Sequence, residues 1–235
     1  MKKIFVVATM MMAAISASAQ YEPGTFSVQP RVGFTASTMS NMEKLDIPID
    51  GYYGVNLDTW PAVGLIVGAD VEYQLSPLVS LSAGLNWAQT GSGWEDWKHK
   101  ENGVTLEIKD TKAETSYLSI PLTANFYVWK GLALRTGVQM GFLTSAKLKM
   151  TVTTSGTQNG VNYNQSTDYD ESFKSQCNKF DLSIPVGVSY EFNNHLVLDA
   201  RYNIGVTKVN KESDPDEKDS RNGVFSLTIG YKIKL

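Results

Sequence analysis

The most constraining feature of this sequence is an alternation of residue types with period two, which recurs in eight runs after residue 25. Within each run one parity is apolar and never charged, whereas the other carries mainly Gly, Ser, Thr and Asn. Such alternation is typical of strands whose two faces meet different environments. The runs cover residues 26–36, 63–75, 79–87, 117–128, 132–142, 180–192, 196–207 and 225–235. The chain is therefore predicted to be all-β.

The polar parity favours a membrane barrel over a soluble sandwich. A sandwich presents long, solvated lysine and glutamate side chains on its outer face. Here the polar parity is rich in small residues, and its few acidic and basic residues are balanced. Such a face suits the crowded interior of a narrow barrel. The apolar parity then faces lipid, where a lysine or arginine at mid-depth costs roughly 2–4 kcal/mol.

The connections between the runs alternate strictly between short and long. The short ones are 76–78, 130–131 and 193–195, and the long ones are roughly 39–60, 91–114, 150–178 and 210–222. Outer-membrane barrels have short periplasmic turns and long extracellular loops. We therefore predict an eight-stranded antiparallel up-and-down transmembrane β-barrel. Pro30, Pro121 and Pro185 fall inside runs, where each removes a ladder donor, and local bulges are expected there.

The N-terminus has the pattern of an export signal. Lys2 and Lys3 precede an apolar run over 4–15, and the small residues 16–19 supply a cleavage site. The predicted domains are a signal peptide over 1–19 and an outer-membrane barrel over 20–235. Such a barrel is expected to meet outer-membrane lipid and the barrel-assembly machinery as its partners.

Bulk composition excludes several other classes. The formal charge of −3 and a mean hydropathy of −0.19 are ordinary for a soluble protein and give no sign of a nucleic-acid partner. Beyond residue 15 no apolar stretch approaches the ~18 residues of a spanning helix. The single cysteine, Cys177, excludes a disulfide framework. No cofactor or metal is predicted, and the barrel is expected to be a monomer.

Charged residues of the polar parity are predicted to form a network inside the barrel. Its members are Arg31, Asp70, Glu72, Arg135, Glu191, Asp199 and Arg201. Inside a lumen filled by side chains these carboxylates are interpreted as partners of the arginines rather than as a catalytic pair. His99 and His195 are expected at opposite ends of the barrel, and no hydrolase, phosphate-loop or zinc motif occurs. The chain is therefore predicted to be non-enzymatic.

Aromatic residues in or next to the long connections are candidates for a binding surface. They are Tyr52, Tyr53, Trp60, Trp94 and Trp97. Aromatic side chains are favoured interface anchors, although packing on the barrel rim explains them equally well. The apolar parity also continues through Leu148, Met150 and Val152 in the phase of the fifth run. Strands over 53–75 and 132–154 would exceed the ~9–11 residues that a bilayer needs, and would offer an edge for strand addition by a partner.

Several segments resemble one known family. Residues 117–128 read YLSIPLTANFYV, residues 181–192 read DLSIPVGVSYEF, and the chain closes with FSLTIGYKIKL. Together with 131–147 and 196–207, these segments resemble strands of the PorT-like outer-membrane beta-barrel domain family. The resemblance implies an eight-stranded barrel in a Gram-negative outer membrane. The expected function is a structural or surface-binding one carried by long extracellular loops. A narrow passive channel for small solutes or ions is the alternative.

Overall fold

A computed structural model describes residues 21–41, 44–45, 55–158, 161–211 and 219–235. The predicted signal peptide lies outside the described residues. One 3-10 turn covers Lys174–Gln176. The strands are β1 (Phe26–Met39), β2 (Lys44–Leu45), β3 (Val55–Asn56), β4 (Thr59–Ser76), β5 (Val79–Trp94), β6 (Trp97–Glu101), β7 (Val104–Trp129), β8 (Leu132–Gln158), β9 (Val161–Ser172), β10 (Phe180–Glu191), β11 (Leu196–Gly205), β12 (Asn222–Tyr231) and β13 (Ile233–Lys234).

Eight of these strands form a closed antiparallel ring. Its order is β1, β4, β5, β7, β8, β10, β11 and β12, after which β12 pairs with β1 again. Every ring strand pairs with its neighbour in the chain, so the topology is up-and-down and the predicted fold class is confirmed. In the described part of the chain, no helix has the length and apolar character needed to cross a bilayer.

The two parities of each strand face opposite sides of the wall. Val138 is 45% exposed and belongs to an apolar belt around the barrel, whereas Arg135 and Gln139 lie on the lumenal side. Ile184 and Val186 are likewise exposed, while Ser183 before them and Pro185 between them are buried. The belt is the surface that the alternation assigns to lipid.

The three short connections lie at one end of the barrel, as the spacing predicts. They join β4 to β5, β7 to β8 and β10 to β11. The expected bulges at the strand prolines are absent. Pro30, Pro121 and Pro185 all keep an unshifted register with a neighbouring strand. The barrel absorbs each missing donor without inserting a residue.

The wall is much taller on one side. β7 has 26 residues and β8 has 27, whereas β11 and β12 have 10 each. Above the ring, β6 and β9 flank the upper parts of β7 and β8. We call this four-stranded extension the distal sheet (residues 97–112, 147–158 and 161–172). β4 begins at Thr59, and Tyr53, where its extension was expected, lies outside the described residues.

Two bulges, one on β7 and one on β8, change which residue parity faces inwards where the distal sheet begins. Asp110 and Thr111 together oppose a single residue of β8, and Asp110 has a φ of 54°. Thr144 is the extra residue on β8, between the pairs Ser116–Ser145 and Tyr117–Leu143. An extra residue shifts every side chain beyond it to the other face.

The reversal changes where the upper apolar residues of β8 point. Leu148 and Phe173 both pack against a buried pair formed by Ala113 and by Trp94, which is 2% exposed. Ala146 joins a cluster that includes Met39 and Val209 from other walls of the barrel. These residues have even numbers, like the lipid-facing residues of β8, yet their side chains point towards the lumen instead of outwards.

Substitution of Val138 by Lys tests the assignment of the belt to lipid. The variant is expected to fold less stably by roughly 2–4 kcal/mol, because the charged lysine side chain must be desolvated at mid-bilayer. The measurement is the urea dependence of folding into phospholipid vesicles. The matched control is Thr153→Lys, on the outer face of the distal sheet and clear of the belt. An equal loss in both variants would contradict the assignment.

Candidate functional site

Five of the predicted interior charges meet in the middle of the lumen. Asp199 is 0% exposed; its carboxylate lies 2.6 Å from Arg135 Nη1 and 2.7 Å from Arg201 Nε. Asp70 lies 3.1 Å from Arg201 Nη2 and 3.4 Å from Arg31 Nη2. Three guanidinium groups thus surround two carboxylates. We call these residues the central cluster (Arg31, Asp70, Arg135, Asp199 and Arg201).

Glycines beside the central cluster give its long side chains their space. Arg31 is directly opposite Gly68 on one neighbouring strand and Gly230 on the other. Gly187 lies between Arg135 and Arg201, and a Cβ on it would come within 2.8 Å of Arg201 Cγ. A larger residue at these positions would occupy the volume that the arginines need.

The other two predicted charges form a second cluster around Lys232. Its ammonium lies 3.1 Å from Glu191 Oε2 and 3.2 Å from Glu72 Oε2. Tyr127 donates a short hydrogen bond to Glu72, and Tyr21 donates one of 2.5 Å to Glu191. This basal cluster (Tyr21, Glu72, Tyr127, Glu191 and Lys232) lies at the end of the short turns. Lys232 and Tyr21 were not in the predicted network, although the parity of the last run places Lys232 inside.

An apolar layer covers the opposite end of the lumen. We call it the mouth cluster, and it consists of Met39, Tyr117, Leu143, Ala146, Cys177 and Val209, with Phe173 packed against it. Below it, Asn222 donates hydrogen bonds of 3.0 Å to Asp181 and 3.2 Å to the Tyr117 hydroxyl. The cavity at this level measures only about 30 Å³, which is room for one or two waters. The described side chains therefore fill the lumen from the basal cluster to the mouth.

The proposed aromatic surface is not a single surface. Trp94 is buried beneath the distal sheet, whereas Trp60 is 43% exposed on the outer wall. Trp97 lies on β6, where it packs on the apolar cluster of the distal sheet and stacks on His99 with ring centroids 5.7 Å apart. Tyr52 and Tyr53 lie outside the described residues.

The distal sheet has two chemically different faces. Its outer face carries ion pairs, including Lys109–Glu107 within β7 at 3.1 Å and Lys147–Asp170 between β8 and β9 at 3.1 Å. Just below the distal sheet, on the same outer side, burial raises the pKa of Glu114, but hydrogen bonds from Lys149 and Lys112 outweigh it and hold that pKa below its ordinary value. Exposed pairs of this kind add little stability. They keep the outer face hydrated.

The inner face of the distal sheet is apolar at its base and polar above. Ile108, Met150 and Val152 are buried there. Beyond them opens a groove of about 650 Å³, lined by His99, Glu101, Asn102, Val104, Leu106, Val152, Thr154, Gln165, Thr167 and Tyr169. A groove with an aromatic ring and several amide and hydroxyl groups can bind a ligand by stacking and neutral hydrogen bonds.

The two histidines lie far apart in the fold. His99 is on β6 in the distal sheet, and His195 is in the turn between β10 and β11. Among the described residues, no group of three or more His, Cys, Asp or Glu side chains is arranged to hold a metal ion. The carboxylates of the central and basal clusters are instead paired with arginine and lysine.

Comparison with known proteins identifies the family. The profile of the family described as outer membrane protein beta-barrel domain matches residues 18–211. The chain belongs to this family. A search of curated proteins found no match. Membership points to the outer membrane, in agreement with the sequence.

Solved structures of outer-membrane barrels resemble this family member in fold. The attachment invasion locus protein Ail of Yersinia pestis shares 16% identity at a TM-score of 0.39, over 90% of this chain and 99% of its own. Neisserial surface protein A shares 15% identity at 0.43, over 88% and 97%. The Escherichia coli outer-membrane protease OmpT shares 11% identity at 0.35, over 91% and 97%.

Substitution of Asp199 by Ala tests the central cluster. Loss of this carboxylate leaves three buried arginines with Asp70 alone, so folding should weaken by about 3–5 kcal/mol. The control Glu107→Gln breaks exposed pairs and should leave folding nearly unchanged. Both are measured by urea-dependent folding in detergent micelles. Similar small losses in the two variants would show that the buried pairs do not hold the barrel together.

The thiol of Cys177 provides a test of the mouth cluster. Burial raises the pKa of this thiol, so less thiolate is present at neutral pH. Alkylation by iodoacetamide at pH 7.5 is therefore expected to be slow in the folded barrel, to accelerate with rising pH, and to become fast in denaturant. Fast labelling of the folded protein at pH 7.5 would show that the mouth cluster is open.

Proposed function

We propose that this chain is a non-enzymatic surface-binding protein of the outer membrane. The barrel is the anchor, and the inner face of the distal sheet is the binding surface. The contrast between a filled lumen and an open groove above it carries the proposal. The groove measures about 650 Å³, whereas the cavity in the upper lumen measures about 30 Å³.

The side chains in the lumen favour the role of a membrane anchor over that of a channel. The central cluster places three arginines and two aspartates across the middle of a ring of only eight strands. Such a ring is just wide enough to be filled by side chains. The mouth cluster then adds an apolar layer, which opposes the passage of hydrated ions.

The distal sheet supports the binding role in two ways. Its groove combines the aromatic ring of Tyr169 with neutral polar side chains such as Gln165 and Thr167. In the described part of the chain β9 pairs with β8 alone, so its other edge can accept an added strand. The edge and the groove belong to the same sheet and can contact one ligand together.

The remaining properties in this proposal follow from the sequence. Residues 1–19 are removed as a signal peptide, and the barrel domain over 20–235 is inserted as a monomer by the barrel-assembly machinery. The surrounding partner is outer-membrane lipid, and the binding partner is an extracellular protein or a surface ligand. The repeated segments at 118–122 and 182–186, which read LSIPL and LSIPV, support assignment to the PorT-like branch.

Conductance in planar bilayers distinguishes an anchor from a channel. The wild-type barrel is expected to give no discrete openings, because the described lumen is filled. The double variant Arg135→Ser/Arg201→Ser removes two of the obstructing side chains and serves as the comparison. Stable single-channel openings in the wild-type protein would overturn the proposal in favour of the channel.

Ligand capture tests the binding surface directly. Proteoliposomes carrying the barrel are applied to an array of glycans and immobilised extracellular proteins. For a captured ligand, Tyr169→Ser should weaken binding by about 2 kcal/mol, or roughly thirtyfold, if the ring is a central anchor. The neighbouring Asp168→Ser, on the opposite face of the same strand, should leave affinity unchanged. Capture of nothing, or equal affinity in both variants, would contradict the proposal.

A further inference from the structure

The outer wall of the barrel carries a second groove, directly above the apolar belt. It has a volume of about 360 Å³. The lining residues on which the site depends are Trp60, Val63, Lys112, Glu114, Ser145 and Lys147. We call it the rim groove. It lies on the outside of the molecule, away from the inner face of the distal sheet.

The lower end of the rim groove is continuous with the lipid-facing belt. Val63 lines it and is 74% exposed, next to the exposed Leu65 on the same strand. Across the sheet, Trp87, Leu118, Phe142 and Phe180 form a row of paired outward residues. Because aromatic rows mark the membrane interface in such barrels, the groove begins where the hydrocarbon ends.

One wall of the rim groove is held rigidly by Trp60. Its indole Nε1 donates a hydrogen bond of 3.0 Å to the carbonyl oxygen of Trp94. Its ring lies on Gly93, where a Cβ would come within 2.2 Å of Trp60 Cε2. The bulge between Pro61 and Ile66 accompanies the outward position of this side chain. A tryptophan with an apolar body and a fixed polar end suits the interface of a membrane.

The upper wall is basic. Lys112 and Lys147 line the groove, and Lys149 is directly opposite Lys112 in the pairing of β7 and β8. Lys174 donates a 2.7 Å hydrogen bond to the carbonyl oxygen of Thr144, next to the lining residue Ser145. Three of these four lysines share only two carboxylates, and the fourth binds a carbonyl oxygen.

The two carboxylates, those of Glu114 and Asp170, carry less charge than the four lysines. Glu114 contacts Lys112 at 2.9 Å and Lys149 at 2.6 Å, while Asp170 contacts Lys147 at 3.1 Å. The side chains of Lys147 and Asp170 are about half exposed, and exposed ion pairs are weak. Phosphate oxygens can therefore replace or join the carboxylates without large cost.

From this geometry we propose that the rim groove binds the phosphorylated headgroup of an outer-leaflet lipid. The acyl end of the lipid lies along Val63 and the belt, and the phosphate lies against Lys112 and Lys147. Trp60 packs on the apolar part of the headgroup. The vertical order of apolar surface, tryptophan and lysines matches the order of chemical groups along such a lipid.

Native mass spectrometry of the detergent-folded barrel with added lipid A tests the site. Bisphosphorylated lipid A is compared with the same lipid after enzymatic removal of its phosphates. The wild-type protein is expected to retain the phosphorylated form about tenfold better, since each lysine near an anionic group contributes several-fold. The variant Lys112→Gln/Lys147→Gln should lose this preference.

The matched control is Lys98→Gln/Lys109→Gln, which removes two lysines from the same outer face farther from the belt. It should retain the phosphorylated lipid as the wild type does. Heat-modifiable migration on SDS gels verifies that both variants fold. Equal retention of the two lipids by the wild type, an equal loss in both variants, or full displacement by millimolar inorganic phosphate would overturn the proposal.

Discussion

The whole molecule depends on the pairing of backbone polar groups in a solvent that offers none. In hydrocarbon each unpaired N–H or C=O costs several kcal/mol, so strands can cross a bilayer only as a closed ring. Here closure is achieved with eight strands, the last of which pairs with the first. Such a small ring cannot leave a wide lumen. The polar residues of each strand therefore face inwards, where their side chains must form hydrogen bonds and ion pairs with one another.

The charges of the central cluster and the basal cluster balance each other. In the central cluster three arginines face two aspartates, and in the basal cluster one lysine faces two glutamates. The central cluster has one excess positive charge and the basal cluster has one excess negative charge, so the two excesses cancel. The hydroxyls of Tyr21, Tyr127 and Ser80 complete the shell of the glutamates. Desolvation of so many charges is tolerable only because nearly every one has a partner at contact distance.

The sequence predicts the ring well because period two is itself a consequence of the two-faced wall. The eight runs, the short turns and the inward charges all follow from parity, and Lys232 could have been added on the same basis. The placement of Leu148, Met150 and Val152 could not be predicted this way. A single extra residue, Thr144, reverses their direction, and a bulge leaves no mark on the alternation that flanks it. Trp94 illustrates a second limit, because its burial depends on Leu148 and Phe173 from distant parts of the chain.

In the tall wall, the bulges at 110–111 and 144 change which residue parity of a strand faces the interior. Below them, even-numbered residues of β8 meet lipid; above them, even-numbered residues meet the interior of the mouth. A one-residue deletion at Thr144 would make the pairs Tyr117–Leu143 and Ser116–Ser145 consecutive, so the bulge would disappear while the upper part of β8 kept its present direction. One residue added above Ser145 would instead have to form a further bulge or turn the residues beyond it over, with lysines towards the mouth and apolar residues towards solvent. The wall therefore accommodates the loss of a residue at Thr144 far better than the gain of one above it.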